Sequence, residues 1–159
     1  MRLHTTLAAA ALATAALAGA GSAQAATTCT WGGTPASPTG VTTNDPGLTN
    51  TPSPVPLSFR ATGVLGGDCH GRFTFSGVMN AGSTCGFVTF QGTASGVPGV
   101  ARFAGVSIGG FAPARLYDRA GTIVGSEDAQ FLTGSDVMSC GTPEGMTGNH
   151  FSSVIELFG

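Results

Sequence analysis

"FRATGVLGGDCHGRFTFSG", residues 59–77, is the stretch whose reading decides the fold. From 59 to 65 the odd positions are Phe59, Ala61, Gly63 and Leu65, with Arg60 and Thr62 among the even ones. From 71 to 77 the odd positions are Gly71, Phe73, Phe75 and Gly77, set against Arg72, Thr74 and Ser76. Side chains alternate between the two faces of a strand, so each run has one apolar and one polar side. Gly66-Gly67-Asp68 between them carries the chemistry of a turn. The simplest unit with this pattern is a pair of antiparallel strands facing one core.

The same texture continues outward. Further strands are expected at about 84–92, 100–108, 113–118, 122–132 and 150–158. Asn80-Ala81-Gly82, Gly96-Val97-Pro98-Gly99, Gly109-Gly110 and Asp118-Arg119-Ala120-Gly121 supply the turns between them. No window repeats apolar residues at i, i+3, i+4 and i+7, and 26 of the 159 residues are Gly, so helix is disfavoured. An aromatic-x-glycine step recurs as Phe75-x-Gly77, Phe90-x-Gly92 and Phe103-x-Gly105, about one strand plus one turn apart. Its Phe and Gly share a face, and Gly there permits the coiling that closes a small sheet. The expected fold is all-β: an antiparallel meander of seven to nine strands closed into a small barrel, with a two-sheet β-sandwich as the alternative.

The N-terminus reads as a secretory signal. Arg2 and His4 precede an apolar run from Leu7 to Gly21, and Ser22-Ala23-Gln24-Ala25 forms a small-x-small cleavage site. Residues 1–25 are thus expected to be cut away after Ala25, giving a secreted, extracellular chain. The run is too short and alanine-rich for a good membrane span, and Cys29 lies too far from the cut for a lipoprotein anchor. Residues 34–57 hold six of the nine Pro, so 26–57 is read as an N-terminal strand plus a Pro-rich extended segment, with at most a short edge strand around Val41. Residues 58–159 carry the meander, and the two parts form one domain.

Beyond Ala25 the chain has five Arg, no Lys and eight acidic residues. That balance provides neither a footprint for nucleic acid nor a polybasic patch for anionic membranes. Four Cys in an exported chain imply two disulfides, and the absence of any C-x-x-C pair argues against a zinc or dithiol redox site. Cys69 opens one strand and Cys85 follows the turn at its far end, so they sit at opposite ends of the sheet. Counting strand reversals onward brings the loop carrying Cys140 to the end of Cys85. The expected bridges are therefore Cys29–Cys69 and Cys85–Cys140.

No residue pattern selects a catalytic centre, metal site or cofactor. His70 and His150 read as solvated strand-start residues, Asp68 joins them at no metal-ligand spacing, and no G-x-S-x-G elbow picks out a serine. Trp31 reads as a core plug beside Cys29 rather than a ligand-stacking residue. Residues 115–131 gather the chain's charge, but Asp118–Gly121 is a hairpin turn whose charges belong in solvent. Glu127 differs. Alternation puts it on one face with Ile123, Gly125, Ala129 and Phe131, and a carboxylate on a core face needs a partner or a proton. Arg102 is the candidate partner, with Arg115 and Tyr117 on the preceding strand as further members. Either a structural ion pair, a strand end reaching water, or a polar group at the bottom of a ligand cavity fits this pattern.

The segments "TCTWGGTP", "PGLTNTPSP", "STCGFVTFQG", "ARLYDRAGTIVGSE" and "FSSVIELF" resemble a group of uncharacterised small secreted all-β proteins of high-GC actinobacteria. That resemblance spans nearly the whole mature chain and implies export and a β-fold, but no activity or site residue. Similarity to the actinobacterial apo-chromoproteins that hold enediynes is one of class only, because their cysteines close short loops. Three functions stay open. One is a non-catalytic binding module for a small apolar ligand, with Phe73, Phe75, Phe90 and Phe103 lining a cavity that Glu127 or an Arg faces. The second is an extracellular surface or interaction protein, such as an envelope component or an inhibitor of a secreted hydrolase, with a packed interior and an exposed apolar patch. The third is a barrel-type isomerase or hydrolase with polar groups converging on Glu127.

Overall fold

The computed structural model describes residues 26–131 and 138–159; the expected signal segment lies outside them. Eleven strands follow in chain order: β1 Thr27–Trp31, β2 Gly33–Thr34, β3 Ser37–Pro38, β4 Gly40–Leu48, β5 Leu57–Gly67 and β6 Arg72–Met79. Then come β7 Phe87–Ser95, β8 Arg102–Ile108, β9 Phe111–Tyr117, β10 Ile123–Phe131 and β11 Met146–Leu157. A 3₁₀ turn, Ser139–Gly141, precedes β11.

From β5 to β11 each strand pairs antiparallel with the next. The sheet closes because β1 and β4 both bridge β11 and β5. Trp31 of β1 lies opposite Ser153 and Leu65, and Val41 of β4 lies opposite His150 and Thr62. The two strands therefore lie end to end in one position, and nine strands fill an eight-position barrel. The expected barrel is the fold, and closure leaves no sandwich. Between β1 and β4 the chain makes the small β2–β3 hairpin, which packs against β11.

Closure corrects the reading of the Pro-rich segment. β4 runs nine residues instead of forming a short edge strand, and a barrel has no edges to offer. Pro46 is tolerated because the β4–β11 ladder slips between Gly148 and Met146, so no pairing asks for its missing N–H. β11 also starts at Met146, four residues earlier than the alternation suggested.

Phe59, Ala61 and Leu65 of β5 and Phe73 and Phe75 of β6 point inward, as their alternation requires, while Arg60 and Arg72 stay exposed. The aromatic-x-glycine repeat has a structural cause: Gly105 lies opposite Phe90, whose ring occupies the space a Cβ at 105 would need, 2.6 Å away. Cys29–Cys69 pins β1 to the β5–β6 turn at one end, and Cys85–Cys140 ties the β6–β7 turn to the 3₁₀ turn at the other. Both pairings are those the strand count gave. Two such bridges are consistent with maturation in an oxidising compartment.

Candidate functional site

The barrel interior divides into a packed half and a hollow half. Toward the Cys29–Cys69 end it is plugged by Phe73, Phe103, Leu116 and Ile155, all essentially inaccessible. Phe103 stacks on Phe75 with ring centres 3.9 Å apart, and Trp31 meets Phe73, Phe75 and Phe151 edge-on at 4.5–5.1 Å. Trp31 Nε1 donates to Phe73 O at 3.0 Å, so the indole is held in place with no polar atom left over.

Above this plug lies a cavity of about 430 Å³ that extends toward the Cys85–Cys140 end. Its floor includes Trp31, Phe75 and Ala61, its walls Phe59, Phe90 and Phe131, and its mouth Leu48, Gly109 and the Cys85–Cys140 bridge. The volume is in the range of small-molecule sites, and the lining has their mostly apolar character with a few polar groups.

Glu127 lies on this wall, 2 % exposed. Removal from water raises its pKa from 4.5 to about 8, opposed by the hydrogen bond from Ser153 and reinforced by the charge of neighbouring Asp128. Ser153 Oγ donates to its Oε1 at 2.5 Å. At neutral pH the group is therefore mainly a neutral carboxylic acid. Nearer the mouth, Asn149 of β11 also lines the cavity and is 6 % exposed, and its Oδ1 has no hydrogen-bond partner. Thr42 Oγ1 donates to the Asn149 carbonyl and holds β4 to β11 beside it.

The expected site residues separate into three groups. Phe75, Phe90 and Glu127 line the cavity, whereas Phe73 and Phe103 belong to the plug beneath it. Arg102, Arg115 and Tyr117 are outside. Arg102 and Arg115 are exposed, and Arg102 lies opposite Tyr117 on the outer faces of β8 and β9. The expected Arg102–Glu127 pair is thus corrected: β8 turns Phe103, Gly105 and Ser107 inward and Arg102, Ala104 and Val106 outward, and Glu127 keeps a proton instead of gaining a cation. Sequence reasoning missed Asn149 and Ser153. Their parity with Phe151 and Ile155 was the available signal; for Asn149 it was lost because the last strand was expected to begin at His150, after it. His70 and His150 are both exposed, and the described residues contain no cluster of three or more potential metal ligands.

The Asp118–Gly121 turn has the expected chemistry. Asp118 Oδ1 accepts from the Thr122 N–H at 2.8 Å, and Gly121 takes the positive φ of 93° that closes it. Backbone N–H groups, Thr122 first, hold the Asp118 carboxyl below the usual range.

Fold and site together define a closed, disulfide-pinned antiparallel β-barrel with an internal, mostly apolar cavity. Comparison with known proteins adds no relative: no family model, no curated protein and no solved structure matches the chain.

Proposed function

We propose that this is a secreted, non-catalytic binding protein that carries a small, mostly apolar molecule inside its barrel. The observation that carries the reading is the cavity itself. Rings fill only one half of the interior, and the hollow half opens between loops tied by Cys85–Cys140. A folded chain does not retain about 430 Å³ of apolar space without cost, because unfilled volume forfeits packing. A bound apolar ligand restores those contacts. The interaction-protein alternative called for a packed interior and an exposed apolar patch, and the hollow half of the barrel counts against its first requirement. The isomerase or hydrolase alternative called for polar groups converging on Glu127, where Ser153 Oγ is the side chain that bonds it. Export rests on the N-terminal segment and agrees with the two bridges.

Trp31 is the only Trp of the chain and forms the cavity floor, so it reports occupancy. Titration with 1-decanol should change its emission saturably. Ala129, a buried lining residue, gives the control: Ala129→Phe should fill the space and abolish the response in a folded protein. An unresponsive Trp31, or a response that Ala129→Phe leaves intact, rejects the reading.

A further inference from the structure

We infer that the cavity selects an elongated, uncharged, largely apolar molecule with a hydrogen-bond acceptor at its inner end and a donor nearer the mouth. The inference rests on the binding reading above and adds the chemical class of the ligand.

Charge is excluded first. All five Arg of the described chain are exposed on the outer surface, and no Arg, His or Asp lines the cavity. A carboxylate, sulfate or phosphate would lose its hydration there without a countercharge. An ammonium group would require Glu127 to release its proton to water and would bury an ion pair in which, among the described residues, Ser153 is the side-chain hydrogen-bond donor to the carboxylate. Such a pair repays its desolvation only when the remaining donors and acceptors are also satisfied.

Two polar groups then set orientation. With Ser153 Oγ donating to Oε1 of the neutral Glu127, the acid proton sits on Oε2 and can be given to a carbonyl, ether or hydroxyl oxygen. Asn149 Oδ1 offers the complementary function, a buried acceptor with no partner. An unsatisfied buried acceptor is costly, so a ligand hydroxyl or amide N–H that reaches it gains more than a surface hydrogen bond would. The register sets the spacing. Ser153, which holds Glu127, and Asn149 point inward from the same strand, four residues apart, with Phe151 between them. At roughly 3.3 Å per residue that is about 13 Å along the wall. The matching ligand has an apolar body about that long between its two polar ends.

A series of ten-carbon straight-chain probes, titrated against Trp31 emission, tests this. The probes are the α,ω-diol, the mono-alcohol, the carboxylate and the amine. The diol should bind about tenfold tighter than the mono-alcohol, the worth of one well-made buried hydrogen bond. The carboxylate should be weaker than the mono-alcohol by about a hundredfold or more. In Asn149→Leu the diol should lose its advantage while the mono-alcohol binds as before. A carboxylate or amine that equals the alcohol, or a diol advantage that is absent in the wild type or survives Asn149→Leu, overturns the selectivity and leaves the binding reading standing. If no probe alters Trp31, both fall together. The wild-type series decides the matter even if the variant fails to fold.

Discussion

Replacing Glu127 by Gln should remove a large pH-dependent component of this protein's stability. In the folded chain the carboxyl group is buried and titrates at about 8; in the unfolded chain it titrates near 4.5. Between those values the native state keeps a proton that the unfolded state has released. Stability therefore falls as pH rises through the window and levels off above about 8. Each pH unit there costs about 1.4 kcal/mol, so the whole span amounts to about 5 kcal/mol. Glu127→Gln keeps the size and the acceptor for Ser153 Oγ but cannot ionise, so this slope should vanish. Urea unfolding at intervals from pH 5 to 8.5, disulfides intact, gives the measurement. The wild type should lose several kcal/mol relative to Glu127→Gln across the range, with the difference between the two proteins isolating this one group. Parallel curves, or a wild type that gains stability relative to the variant with rising pH, would refute the placement of a protonated carboxyl without a countercharge inside the barrel.

Further outcomes follow from the packing. Phe103→Ala, beneath Phe75 in the plug, should lower unfolding stability by about 3–5 kcal/mol, read from urea midpoints. Gly105→Ala should cost about 1–3 kcal/mol, because the new methyl meets the Phe90 ring and the Pro113 carbonyl. Non-reducing peptide mapping should link Cys85 to Cys140, and replacing both by Ser should lower stability by about 2–4 kcal/mol. Arg102→Ala, on the outer face of β8, should leave stability within about 0.5 kcal/mol and probe binding unchanged.

Much of the fold was legible because residues 59–77 alternate cleanly and because disulfide ends follow from counting strand reversals. Glu127 was legible for the same reason, since Gly125, Ala129 and Phe131 share its face, whereas Ile123, counted with them, lies beyond a register shift and is exposed. Alternation, however, defines two faces without saying which is inside. On β8 the inner face carries Phe103 and then Gly105 and Ser107, kept small or polar beside the Phe90 ring and the cavity, while Ala104 and Val106 lie on the outer one. Beyond Phe103 the outer face thus had the stronger apolar signal, and Arg102 was drawn inward with Ala104 and Val106. β4 was hidden by Pro46, whose tolerance depends on a register slip that only the paired strand reveals. Asn149 was hidden because a polar residue near a strand end resembles a turn, and the cavity exists only once β4, β10 and β11 are brought together.

The most direct test of an accessible ligand cavity is a crystal structure of the protein soaked with 1-decanol. The account requires continuous density inside the barrel, above Trp31 and Phe75, reaching toward Glu127 at one end and the Cys85–Cys140 mouth at the other. Side chains collapsed into that space, or alcohol bound only on the outer surface, would contradict it.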